Sequence, residues 1–277
     1  SRPEDKLTVT FKNLDIADFN PILQKFGLNL QGKMNDNVVL RSVFKDMTLT
    51  SNVTIDDLVI NDVKLGKAKF GFNNMLSKNE FAADIRMSYN EPNSGQIIPL
   101  SIKGRVNLAD KNDNLDLKVD MQEFDIRIIE NYLSSLSSYV RGKISAENLL
   151  VKGKFTQPHI AGSLKIKDGA MKIDMFNTTY SFNDELFVND NIFTMDNFVL
   201  QDAQKNKITI NGTITHDNFT NFDLNLKAKA DKIKVLDTEE SVDQMYYGTV
   251  YASADVNLHG DLNFLNIEVT AKTERGT

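Results

Sequence analysis

Period-two alternation constrains this chain more than any other feature. Phe222, Leu224, Leu226, Ala228 and Ala230 alternate with Asp223, Asn225, Lys227, Lys229 and Asp231, which gives an extended strand one apolar and one charged face. Leu115, Leu117, Val119 and Met121 repeat the pattern, as do Ile160, Leu164 and Ile166, then Ile208, Ile210 and Ile214, then Leu7, Val9 and Phe11, then Ile102, Val106 and Leu108. Antiparallel sheets with one wetted face read this way, whereas buried parallel sheets read as unbroken apolar runs. Turn-forming clusters separate the runs: Asp110 to Asn114, Asn183-Asp184-Glu185, Asn189-Asp190-Asn191 and His216-Asp217-Asn218. Helical pattern is confined to three short stretches, Asp18 to Phe26, Ile128 to Tyr139 and Asp237 to Tyr246, the last opening on Asp237-Thr238-Glu239-Glu240. The expected fold is all-β, a long and mostly antiparallel sheet with a few short helices inserted.

The chain also repeats itself. LDLKVDMQEFDIRII from Leu115 aligns without a gap on FDLNLKAKADKIKVL from Phe222, after which Gly142, Gly153, Ile160 and Gly169 match Gly248, Gly260, Ile267 and Gly276. A partial copy opens the chain, where Asp15-Ile16 and Gly32 match Asp125-Ile126 and Gly142. A second phrase recurs as VTIDDLVIND from Val53 and FTMDNFVLQD from Phe193. Each unit therefore reads strand, Asp-Ile, short helix, Gly, strand, Gly, strand. The division is a diverged region 1–114, a unit 115–221 and a partial unit 222–277, stacked as one elongated structure in which each unit buries the edge of the next. The chain starts Ser1-Arg2-Pro3 and stops at Arg275-Gly276-Thr277 as the motif repeats, so it is read as a piece of something longer.

Composition removes several functions. With no cysteine, a disulfide scaffold, a thiolate nucleophile and a cysteine-ligated zinc are excluded. A net charge of −6 without any Lys/Arg cluster argues against nucleic-acid binding. No run approaches the roughly 20 apolar residues that span a bilayer. His159, His216 and His259 stand alone, without metal-motif spacing, and read as surface polar residues at strand ends or turns. Asp110-x-Asn112-x-Asn114 starts like a calcium loop, but Leu115 holds the required Gly position and Met121 the bidentate Glu position. P-loop, dinucleotide and nucleophile-elbow strings are missing. No enzyme, metal or cofactor is expected.

Leu149 to Ile173, LLVKGKFTQPHIAGSLKIKDGAMKI, carries a more specific signal. An apolar-x-Gly, then Pro158, Ile160-x-Gly162, an alternating strand and Asp168-Gly169 resemble the recurring phrase of the TamB and AsmA-like family of bacterial envelope proteins. VNLHGDLNFLNIEVTAKTERGT, Val256 to Thr277, is similar to a worn second copy lacking the Pro and the second Gly, and the lead-in YVRGKISAENLLVKG resembles the family's helix, Gly and paired strand. The resemblance implies a Gram-negative envelope protein, anchored in the inner membrane by a helix outside this sequence. Such a protein crosses the periplasm as a long sheet folded over into an apolar groove, a β-taco. It further implies phospholipid transport toward the outer membrane, an Omp85-type outer-membrane barrel as partner, and no catalytic residues.

The residues lead to a compatible picture independently. A sheet with one apolar face covers it with a second sheet, with helices or with something other than protein, and helices are too few here. If the sheet curls into a trough, acyl chains can fill it at roughly 0.8 kcal/mol per buried CH₂. A dry β-sandwich fits the alternation equally, and would make the chain a structural or adhesive repeat module without lipid. The groove lining is expected from Leu115, Leu117, Val119, Ile160, Leu164, Ile166, Phe193, Met195, Ile208, Ile210, Ile214, Phe222, Leu224 and Leu226. Phe198 and Leu200 have the opposite parity to Phe193 and Met195, so a bulge or turn is expected at Asp196-Asn197 and likewise at Asp56-Asp57.

Overall fold

Alternation becomes strand almost everywhere: 78% of the described residues are strand, in long antiparallel sheets not closed into a barrel, and no described helix reaches seven residues. The computed structural model describes residues 6–24, 28–41, 48–73, 75–77, 80–90, 97–107, 109–217, 220–240, 247–262 and 264–276. Among the described residues no helix is long and apolar enough to cross a membrane. The chain forms two compact units, Ser1–Phe124 with Ser145–Gly162, and Asp125–Ile144 with Ser163–Thr277.

The first unit holds β1 (Lys6–Asp15), β2 (Leu30–Arg41), β3 (Thr48–Ile60), β4 (Val63–Asn73), β5 (Met75–Ser77), β6 (Glu80–Asn90), β7 (Ile97–Asn107) and β8 (Leu115–Asp125). To these it adds parts of β9 (Val140–Lys154) and β10 (Gln157–Ile173). Strands pair antiparallel in chain order, with the short β5 lying beside β6. Leu115, Leu117 and Val119 pair with Val106, Gly104 and Ile102 of β7, which puts one apolar parity on one face of the pair. Leu108, expected to extend that parity, lies outside the described residues. The second unit holds the rest of β9 and β10, then β11 (Thr178–Asn189), β12 (Ile192–Gln201), β13 (Lys207–Asp217), β14 (Thr220–Thr238), β15 (Gly248–Asp261) and β16 (Asn266–Gly276), also paired in chain order.

Bulges interrupt these strands at regular places. Asn13, Asp57, Glu123, Asn148, Asp168, Asn197 and Lys232 all have φ between 50° and 54°, in the left-handed region that costs a side chain roughly 1–2 kcal/mol. The register shifts between Ile55 and Leu58 and between Met195 and Phe198, so both expected bulges are present and Phe198 returns to the face of Met195. In most of them the orphaned amide is taken up by a polar side chain of an adjacent strand. Asn13 N–H donates to Asn35 Oδ1 (2.9 Å), Glu123 N–H to Ser145 Oγ (3.0 Å), Asn148 N–H to Asp120 Oδ1 (2.8 Å), Asn197 N–H to Asn211 Oδ1 (2.8 Å) and Lys232 N–H to Ser253 Oγ (3.2 Å). Each bulge bends its strand and tightens its twist, which curves the sheet without breaking it.

The repeat is visible in this geometry. Asp15 and Asp125 both cap a turn of 3₁₀ helix, each accepting from the amide two residues on (Ala17 and Arg127, both 3.0 Å), and Ile16 and Ile126 behind them are buried. Helices α1 (Asn20–Leu23) and α2 (Glu130–Leu133) follow. The third copy departs: its bulge, Lys232, corresponds to Glu123, not to Asp125 as the ungapped alignment has it. The alignment is therefore off by two residues, one full pleat. Lys234 occupies the capping position, its amide is held by Asp202 Oδ2 at 3.0 Å, and β14 runs on to Thr238 instead of turning into helix. The helix expected to open at Asp237 is thus corrected, since Asp237 is paired with Thr249 of β15. Residues 241–246 of that expectation, and residues 25 and 26 of the first helical stretch, lie outside the described residues. The first stretch is helical from Ile16 to Gln24, and the second ends at Leu133, short of the expected Tyr139, because the serines that follow offer few helical side chains. Asn189 to Ile192 forms the expected hairpin, residues 218 and 219 of the His216 cluster fall outside the described residues, and Asn183 to Glu185 is no turn but an irregular stretch inside β11. There the Asn183 side chain receives the bulged Asp168 amide (2.6 Å), and the Asp184 carboxylate receives Val199 N–H (2.8 Å).

Candidate functional site

In the second unit, registers place four rows of residues on one face. Phe193, Ile214, Leu224 and Gly260 form the first, and Met195, Gly212, Leu226, Leu258 and Ile267 the second. Phe198, Ile210, Ala228, Val256 and Val269 form the third, and Leu200, Ile208, Ala230, Ala254 and Ala271 the fourth. Every position is apolar, because directly paired residues of an antiparallel sheet point the same way. Intervening positions on β14 and β15 carry Lys227, Lys229, Asp231, Asp255 and Asn257 on the wet face, where Lys229 and Asp255 sit 3.6 Å apart.

Eight of the fourteen expected lining residues meet here: Phe193, Met195, Ile208, Ile210, Ile214, Phe222, Leu224 and Leu226. Leu115, Leu117 and Val119 lie on the face of the first unit already described. Of the β10 residues, Ile160 belongs to the first unit, half-buried, while Leu164 and the buried Ile166 belong to the second. The alternation of Ala254, Val256 and Leu258 is visible in the sequence as a further contribution to the face, whereas Ile267 and Val269 need the β15–β16 register to place them.

Burial is uneven across the face: Phe198 and Leu200 on β12 and Ala254 on β15 are buried, whereas Ile210, Ile214, Val256 and Leu258 are half-buried. Leu224 on β14 is 8% exposed, while Ile267 and Val269 on β16 are 43% and 56% exposed. One polar residue interrupts the face: His216 shares the parity of Ile214, is only 6% exposed, and lies between the rings of Phe193 (5.0 Å) and Phe222 (5.7 Å). This corrects its reading as a surface residue. Burial pushes the imidazole below its ordinary pKa, against the pull of Asp217, so it is neutral at pH 7.

Two structures close over this face. At one end of the β12–β13 hairpin, Asp202 accepts from Gln204 N–H (2.8 Å), Asn206 N–H (3.0 Å), Asn206 Nδ2 (2.9 Å) and Lys234 N–H (3.0 Å). Burial raises the pKa of this carboxyl, but these donors outweigh it and hold the pKa below the usual range. Past the hairpin tip, Tyr180 Oη donates to the Lys234 carbonyl at 2.7 Å, tying β11 to β14 across the two shorter strands. The other structure is the connection between β8 and β9. Its Tyr132 ring meets Phe222 edge-on with centroids 5.4 Å apart, and burial raises the Tyr132 phenol pKa.

β14 is curved around that connection. Phe222 near its start touches Tyr132, while the Asp237 carbonyl near its end receives Asn177 Nδ2, and the Asn177 turn begins at Asp174, whose amide donates to the Leu136 carbonyl (3.1 Å). Fifteen residues of straight strand would separate Phe222 from Asp237 by roughly 50 Å. Register shifts between Ala230 and Ile233 and between Lys234 and Leu236 supply the bend. Among the described residues no group of three or more His, Cys, Asp or Glu side chains could hold a metal ion.

Residues 196–277, from the middle of β12 through β16, match the family model of the TamB C-terminal domain. The curated proteins and the solved structures yield no match.

Proposed function

We propose, from the premise that the match over residues 196–277 marks a TamB-like family member, that this chain holds acyl lipid on its apolar inner face and performs no catalysis. The family is tied to assembly in the Gram-negative envelope and to the outer membrane. The observation that carries the proposal is the five-strand apolar face on which Met195, Ile210, Ile214, Val256 and Leu258 stay only half-buried. A dry sandwich core would bury these row residues fully. A groove for chains leaves part of their surface for a ligand, and each methylene placed there contributes roughly 0.8 kcal/mol. On this reading the chain is a periplasmic segment of a protein anchored in the inner membrane. It passes phospholipid toward the outer membrane, with an Omp85-type barrel as partner.

Native mass spectrometry of the protein purified from cells is expected to find phospholipid bound, and solution binding of a fluorescent fatty acid to be saturable. A clean apo spectrum without fatty-acid uptake would leave the structural-module reading and refute this one.

A further inference from the structure

The connection between β8 and β9 is a fixed part of the second unit. It leaves β8 at Asp125, whose carboxylate caps the first turn and grips the Arg127 guanidinium through two hydrogen bonds (3.0 and 2.7 Å). Within it Ser137 N–H donates to the Leu133 carbonyl (2.8 Å) and Ser137 Oγ to the Tyr139 carbonyl (2.9 Å). The end of β10 and the turn after it hold it from outside, Lys172 N–H donating to the Tyr139 carbonyl (3.0 Å) and Asp174 N–H to the Leu136 carbonyl (3.1 Å). Ile126 and Ser137 are only 3% and 1% exposed. A segment bonded at both roots and buried between them does not open without breaking these contacts.

From this segment Tyr132 meets Phe222 on β14, although four strands separate β14 from β9 in the sheet order. Phe222 shares the parity of Leu224 and Leu226, so the contact stands on the inner face, beside the rings of Phe193 and His216. The apolar rows therefore end, on this side, in an aromatic wall. Their other end is polar, with Asp202 and its four donors and with Gln204 Nε2 donating to Tyr251 Oη at 2.8 Å. Phe222 to Ala230 is roughly 26 Å of strand. That is room for one acyl chain, since two of them end to end make up a bilayer core of about 30 Å.

We infer that Tyr132 is the end wall of the acyl site and sets the longest chain that the face can hold, the methyl end lying against its ring and the head at the polar end. The inference rests on the lipid reading above. Each methylene that finds apolar surface tightens binding roughly fourfold, so affinity climbs with chain length until the methyl end reaches Tyr132, and then stops climbing. Tyr132→Ala removes the ring and moves that break outward by about two methylenes, so the longest acids bind roughly 16-fold tighter than they bind the parent.

Straight-chain fatty acids from decanoate to docosanoate, displacing a fluorescent fatty acid from the protein, measure the break. Tyr132→Leu keeps an apolar side chain in case Tyr132→Ala does not fold, and is expected to move the break by less. Because the chain has no tryptophan, Tyr132→Trp puts a single fluorophore on the wall. An acid brominated near its methyl end is expected to quench that fluorophore more strongly than one brominated near its carboxyl. A climb without a break in the parent, a break at the same length in the parent and the variants, or equal quenching by the two brominated acids would overturn the wall and leave the lipid reading standing. A parent that takes up no fluorescent acid would overturn the lipid reading, and the wall with it.

Discussion

Leu224→Asp places a charge at the centre of the inner face, directly between Ile214 on β13 and Gly260 on β15. Leu224 is 8% exposed, so losing its burial costs about 1.5–3 kcal/mol. The new carboxyl, protonated and without a partner, adds about 1–3 kcal/mol. The sum, roughly 2.5–6 kcal/mol, is a large share of the about 5–15 kcal/mol that holds a typical domain together. Val269→Asp lies on the same face two strands away but is 56% exposed, and is expected to change stability by no more than about 0.5 kcal/mol. Urea unfolding followed by far-UV circular dichroism measures both, and fluorescent fatty-acid uptake is read on whatever remains folded. The face assignment predicts a large loss for Leu224→Asp, a small one for Val269→Asp, and weakened uptake in both. If Leu224→Asp stays within about 1 kcal/mol of the parent and still takes up fatty acid, these four rows do not share a buried face.

Asp202→Ala removes the acceptor of four donors and should lower stability by about 2–4 kcal/mol, with Asp202→Asn between it and the parent in urea midpoint. Because the folded pKa of Asp202 is depressed, its stabilisation is complete above the unfolded value near pH 4 and is lost as pH falls through the folded value. Asp202→Asn should therefore flatten the acid limb of a stability profile, and an unchanged limb would remove Asp202 from the account. His216 also has a lowered pKa, so the unfolded chain takes up its proton first. Its contribution is complete above about pH 6.5 and declines as pH falls below that, and His216→Phe should abolish this slope in midpoints measured from about pH 5 to 8. Lys232→Gly relieves a left-handed bulge and should raise stability by up to about 1 kcal/mol, whereas Asn197→Val should lower it by about 1–2 kcal/mol, both by chemical unfolding. Gly169→Ala pushes a methyl into the Phe182 ring, so it should cost about 2–3 kcal/mol and regain part of that with Phe182→Leu.

Strand parity is legible in the sequence because it depends only on which side chains avoid water. The bulges at Asp56-Asp57 and Asp196-Asn197 are legible for a related reason: a change of parity inside one strand has few physical solutions. The left-handed residue has to sit between Met195 and Phe198, and Asn197 tolerates that conformation well. What the pattern hides is any slip that preserves parity. Matching Asp125 to Lys232 keeps every apolar residue on its face, so alternation cannot reveal that the true counterpart of Lys232 is Glu123. Only the donor–acceptor pairs, Glu123 to Ser145 and Lys232 to Ser253, fix that register. His216 reads as a turn residue because a turn cluster follows it, although its parity with Ile214 already puts it on the inner face. Tyr132 has no sequence signal, since a contact with Phe222 depends on how far the sheet has curved.

That curvature decides what the apolar face of the second unit can be used for. A flat sheet with the rows found here would need a second layer of protein over all five strands. Bulges bend the strands instead, and the amides of Asn197 and Lys232 are satisfied sideways by Asn211 and Ser253, so the bend does not cost unpaired backbone groups. The inner face then turns partly toward itself: Tyr180 reaches the Lys234 carbonyl past the hairpin tip, and Leu224 and Leu226 become buried. The closure reaches β15, where Gln204 Nε2 donates to Tyr251 Oη at 2.8 Å and Ala252 and Ala254 are buried, yet it leaves Ile210, Ile214, Val256 and Leu258 only half-buried. Those half-buried side chains keep part of their apolar surface in water at a free-energy cost of about 25 cal/mol for each Å² exposed. A ligand made of methylenes recovers that cost without requiring any particular side-chain match, which is why an alternating face of Ile, Leu, Val and Ala, with no fixed polar geometry to satisfy, suits a chain-like lipid better than a shaped solute.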